Sequence, residues 1–217
     1  MKTQIHSDST LSFSRRWLLA LAVFTPLALL PLQPALAGGK VMPPNAKPKG
    51  YSLADAAAAT ALFNVGPRTP ESLPDVPFQI LYTRTFTPPP FIVRPGTWLY
   101  VPVFSSDDRP VIVGDFPDVN DPAAVAEYYF SPEQLGAEYI EIVVDGEVNT
   151  LGPEYIAGVE VALPGGTAYT VAAAFINPLN KGTHTVEIRA RFSGAAVLAD
   201  NDGEVLEYSI VYTVIVR

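Results

Sequence analysis

The sequence predicts an all-β protein, an antiparallel β-sandwich or jelly roll with a short N-terminal helix and one helical insertion. Three observations predict it. From residue 78 onward about nine short β-branched or aromatic runs follow one another, bounded by Pro and Gly. The last two runs show period-two alternation, the signature of strands with one wet and one buried face. The chain is also 48% hydrophobic but only 17% charged, with 22 Pro and 15 Gly, so it has material for a packed core cut by many turns. With no Cys, it offers no disulfide scaffold, thiolate zinc site or thiol nucleophile.

Residues 1–37 read as a secretory signal peptide. The basic pair Arg15-Arg16 precedes an apolar run over 17–30, and Ala35-Leu36-Ala37 has the small-x-small form of a cleavage site. The run is shorter than the ~20 residues of a spanning helix, so the mature chain is expected to carry no transmembrane segment. Ser14-Arg15-Arg16-Trp17-Leu18-Leu19 also approaches the twin-arginine signal, and both export routes stand. The expected product is secreted or periplasmic, beginning after Ala37. Its net charge, −8 for the whole chain, becomes more negative on cleavage because three basic residues leave with one acid. Such a chain repels polyanions, and its basic residues form no stripe, so nucleic acid is excluded as a partner.

Residues 38–77 form a flexible leader, a short helix and a Pro-rich linker, with the sandwich domain at 78–217. Ser52 and Asp55 are spaced as a capping box, and the Ala-rich stretch to about Leu62 is strongly helix-forming. Asn64-Val65-Gly66-Pro67 stops it. Strands are expected at 78–87, 91–93, 97–104 and 111–113, then at 139–144 with Asp145-Gly146 as a hairpin turn into 147–148. Further strands follow at 155–163, 168–176, 183–192 and 205–216. Asn120-Asp121-Pro122 caps and starts the helical insertion. In the 183–192 run, His184, Val186, Ile188, Ala190 and Phe192 face inward, against Thr185, Glu187, Arg189 and Arg191 outward. Tyr208, Ile210, Tyr212, Val214 and Val216 form the matching row, reached through a connection at 194–203.

The order of Phe86-Thr87, Pro95-Gly96-Thr97-Trp98-Leu99-Tyr100-Val101-Pro102-Val103, Val144-Asp145-Gly146 and Pro178-Leu179-Asn180-Lys181-Gly182-Thr183-His184-Thr185-Val186 resembles a family of secreted, mostly bacterial β-sandwich proteins of unassigned function. The resemblance covers 78–217 and implies the sandwich and the export. Its motifs are structural, so it carries over no catalytic residue. The chain departs from it at 169–175, where an aromatic cluster is expected and Tyr169-Thr-Val-Ala-Ala-Ala-Phe175 stands.

Candidate sites are few. Trp98 and Tyr100, with Phe104, alternate along one strand. They are either a platform for stacking sugar rings or part of the core of a strand covered on both faces. Asp115, Asp118, Asn120 and Asp121 crowd an acid-rich loop, which is either a calcium site or a solvated turn-forming segment. Asp200-Asn201-Asp202-Gly203 is a second acidic stretch, with a hairpin turn as its first reading. His184, the sole histidine of the mature chain, is expected to bond a neighbouring loop, and no Gly-x-Ser-x-Gly elbow accompanies it. No catalytic residue is assigned. The expected function is a non-catalytic binding or structural role, with a glycan or cell-surface component as partner. The alternative is a glycan-active hydrolase drawing paired carboxylates from Glu127, Glu133, Glu138 and Glu141.

Overall fold

The computed structural model describes residues 39–66, 68–83, 87–110 and 112–217. The expected signal peptide at 1–37 lies outside the described residues. Within them, nine strands form two sheets. Sheet I has the order β1 (Gln79–Ile80), β3 (Leu99–Asp107), β7 (Gly166–Ile176), β6 (Ile156–Leu163). Sheet II has the order β2 (Phe91–Val93), β9 (Leu206–Val216), β8 (Gly182–Phe192), β4 (Ala137–Val144), β5 (Glu147–Thr150). The helices are α1 (Leu53–Val65), α2 (Pro122–Phe130) and α3 (Ala195–Asp200). No described helix is long and apolar enough to cross a membrane.

The fold is mostly β and sandwich-like, as expected, but the sheets are mixed. The long ladders are antiparallel, whereas β1 pairs parallel with β3 and β2 parallel with β9. The chain travels from β1 to β3 by way of β2 in the opposite sheet, a crossover long enough for parallel pairing. Three local expectations are also corrected. Among its described residues the expected strand at 78–87 is regular only at Gln79–Ile80, and Ile112 and Val113 lie in loop. The connection at 194–203 holds α3 rather than a simple turn. Its Ala-rich sequence is helix-forming, and Val197 buries against the core.

Two apolar layers hold the molecule. One lies between the sheets, where Val101, Ile140, Ile142, Val186, Ile188 and Val214 meet. The second lies between sheet I and α1, and includes Phe78, Tyr100, Val171, Ala173 and Phe175. Strand β7 serves both, with Ala172, Ala174 and Ile176 in the first layer and Val171, Ala173 and Phe175 in the second. Its small side chains meet Ala56, Ala57 and Ala61 of the helix, which lets the backbones approach closely. Ser52 and Asp55 make the expected capping box, each accepting from the other's backbone N–H. The segment expected as a flexible leader is tied down: Val41 bridges Ile176, and the Met42 N–H donates to the Phe175 carbonyl at 2.8 Å.

Candidate functional site

The structure separates the sequence-predicted residues. Tyr100 is fully buried beneath α1, its ring 5.2 Å from that of Phe175 and 5.6 Å from that of Phe78. Burial pushes its hydroxyl well above the ordinary tyrosine range, only partly offset by the nearby Thr60 hydroxyl. Trp98 is half-buried against the same layer. The two share a face as expected, but the helix covers it, so they form core and no sugar platform. Phe104 leaves that face because the register shifts between Pro102 and Phe104. The bulge turns its ring between the sheets, onto Tyr129 and Phe192.

The acid-rich loop divides in the same way. Asp121 caps α2, accepting from the Ala123 N–H at 2.9 Å. Asp115 lies against Gln134, whose side-chain oxygen accepts from its N–H at 2.9 Å. Asp118 and Asn120 line a cleft of about 400 Å³ with Asp108, which the sequence places at the start of the same acid-rich loop, and with Glu160, which the sequence reading did not single out. There Asn120 donates to Glu160 at 2.6 Å, and the Asp118 carboxylate accepts the Asn120 N–H. Asp108 is bound by the Thr167 and Ala168 N–H groups and the Thr167 hydroxyl. Burial pushes its pKa up, but these donors outweigh it and hold the group below the ordinary carboxylate value. Among the described residues, no group of three or more His, Cys, Asp or Glu is placed to hold a metal ion. Of the residues weighed as calcium ligands, Asp121 serves as a helix cap and Asp115 lies against Gln134, which is the turn-forming alternative for this loop.

Of the carboxylates of the hydrolase alternative, Glu138 and Glu141 belong to a cross-strand network on the outer face of sheet II, and Glu127 lies on α2. Glu141 accepts from Arg189 at 2.6 Å and Glu138 from Arg191 at 2.9 Å. Glu207 accepts from Arg191 and from the Tyr139 hydroxyl. Glu133 folds back onto Ser131. His184 sits buried at the head of β8, its Nδ1 2.7 Å from Asp145 and its Nε2 2.9 Å from the Asn180 carbonyl. That carbonyl can only accept, so Nε2 carries a proton and serves the turn.

Two further hollows lie on the side where β1 and β2 stop short. Strand β3 has β1 beside it only at Leu99 and Tyr100, and β9 has β2 beside it only at 214–216. Beyond those points no strand among the described residues lies beside either edge, and a hollow of about 460 Å³, lined by residues of both sheets, opens there. Tyr82, Val103, Phe104, Leu206, Tyr208 and Ile210 line it. The Tyr208 hydroxyl crosses it and donates to the Val103 carbonyl at 2.6 Å, at the bulge. A second hollow of about 640 Å³ shares Arg68, Tyr82 and Thr83 with the first, and exposes Leu73 and Ile92.

Arg68 stands where the two hollows meet. Its Nε donates to the Asn64 carbonyl at 2.9 Å and an Nη to the Thr83 carbonyl at 3.4 Å. Its backbone is left-handed, with φ of 53°, a conformation strained for a side chain of this size. Asn64 is itself buried and donates to the Tyr169 hydroxyl at 2.8 Å, which links the helix end to β7. Burial raises the Tyr208 and Tyr212 hydroxyls, Tyr212 to about 12, while the Arg68 charge acts the other way on both. These tyrosines are therefore neutral hydrogen-bonding groups at any physiological pH. The sequence does not single out Arg68. It places Phe104 on the candidate platform strand, and Tyr208, Ile210 and Tyr212 in the core; of these Tyr208 and Ile210 are only half-buried because the hollow opens over them. No family model, curated protein or solved structure matches the chain.

Proposed function

We propose that this chain is an exported, non-catalytic β-sandwich protein that binds a small molecule in the hollow between β3 and β9. The observation that carries the reading is the hollow itself: about 460 Å³, walled by aromatic and aliphatic side chains of both sheets and dotted with a few polar groups. Size and lining are those of ligand pockets in general. Export rests on residues 1–37, and likeness to secreted β-sandwich proteins on the motifs at 95–103 and 178–186. The hydrolase alternative gains nothing from the arrangement, because Glu138 and Glu141 each lie against an arginine on an outward sheet face.

Nile red, a neutral apolar dye, tests the reading by fluorescence titration of the full chain. Saturable binding is expected. Leu206→Trp, which fills the hollow from its rim, should weaken it at least tenfold while leaving thermal unfolding cooperative. Equal dye affinity in the two proteins would overturn the reading. For the export half, the matching observation is a secreted product that begins at Gly38.

A further inference from the structure

This inference rests on the hollow being a ligand site and concerns what it takes. A guanidinium drawn partly out of water needs a counter-charge, or hydrogen bonds for its five N–H groups. Arg68 is half-buried, and only two of those groups are engaged, one of them at 3.4 Å. The other described arginines are accommodated differently. Arg109, Arg189 and Arg191 each face a carboxylate, and Arg94 and Arg217 are exposed. Among the described arginines, Arg68 alone is half-buried without an ion pair.

Among the described residues, nothing lining either hollow neutralises it. Of those residues the second hollow holds no acid, and the one acid of the first is Glu207, already bound by Arg191 and Tyr139. The cation is also fixed in place, since Asn64 anchors it from the helix end and Thr83 from the opposite wall. Around it the surfaces are apolar: Val103, Phe104, Leu206 and Ile210 on one side, Leu73 and Ile92 on the other. A planar fork with free donors at the junction of two apolar hollows matches a planar, two-oxygen anion carried on an apolar body.

We infer that the site takes a carboxylate with an aliphatic or aromatic body, its head on the Arg68 guanidinium and its body in the hollow between β3 and β9. Calorimetric titration of the full chain with octanoate and with octanol tests this, since the pair differs in head group and shares its chain. Octanoate should bind about tenfold tighter or better, the usual worth of a charge-assisted pair in a partly buried site. Arg68→Ala should bring octanoate down to the level of octanol. Arg68→Lys, which keeps the charge and loses the fork, should fall between them and carries the test if the alanine variant does not fold. Equal binding of both probes by the unaltered chain would overturn the carboxylate inference while leaving the binding reading in place. An undiminished octanoate preference in both variants would do the same. Failure of both probes together with Nile red would overturn the reading beneath it.

Discussion

Sheet I turns its outer face to α1, whereas sheet II turns its outer face to water. Beneath the helix, Phe78 meets Phe175 edge to face with Tyr100 tilted against both, and alanines on strand and helix bring the backbones together. Across the molecule, Glu138, Glu141, Arg189, Arg191 and Glu207 pair along neighbouring strands, with tyrosine and serine hydroxyls filling the gaps. Both arrangements complete a sheet, but their energetics differ. The covered face draws on apolar burial, which is large and intolerant of voids. The wet face draws on ion pairs in high dielectric, each worth little. Sequence change should therefore be felt on one side and absorbed on the other.

The largest effect should come from Phe175→Ala, which leaves a void between Phe78 and Tyr100 in the covered layer. A loss of about 3–5 kcal/mol is expected from urea unfolding, and a loss below about 1 kcal/mol would show that the helix settles into the gap. Next comes Ser52→Ala at the start of the covering helix, which should cost about 1 kcal/mol at neutral pH. The Ser52 hydroxyl and then its backbone N–H hold the Asp55 carboxyl below its ordinary 3.8. Because the folded value is depressed, this contribution is present above the unfolded pKa and is lost as pH falls through the folded one. Thermal unfolding of the two proteins should differ at neutral pH and converge in strong acid; a gap that persists in acid would mean the cap acts without the carboxylate. The smallest effect is expected on the wet face. A double-mutant cycle on Glu141 and Arg189 should give a coupling below about 1 kcal/mol that shrinks with salt. A larger, salt-insensitive coupling would erase the distinction between the faces.

The same contrast explains what could be read in advance. The alternation of β8 was legible because one face of sheet II is wet, so its charges mark the strand period residue by residue. The Ser52 capping box and the Asp145-Gly146 turn were legible because each is a matter of a few adjacent residues. Strand β7, buried on both faces, carries no such marks, and what covers Trp98 and Tyr100 is a helix whose docking no local pattern announces. A single bulge at Pro102 reversed the facing of everything after it, which moved Phe104 to the other layer. The hollow was the least legible part. It is assembled from 64–68, 81–83, 102–105 and 206–212, and its arginine sits in a Pro-rich loop where a lone basic residue signals nothing by itself.

The parallel edge strand β2 has a consequence for how the chain comes to be folded. Phe91, Ile92 and Val93 find their partners at Val214, Ile215 and Val216, the last residues but one of the chain. Helix α1 likewise packs mainly on β6 and β7, which come about ninety residues after it or later. The N-terminal third of the domain must therefore wait, with its apolar side chains uncommitted, for the C-terminal strand to be delivered. Contacts that span so much chain are slow to form. A translating ribosome must therefore deliver residues 214–216 before β2 can pair, and their removal would strand β2 as well as shorten β9.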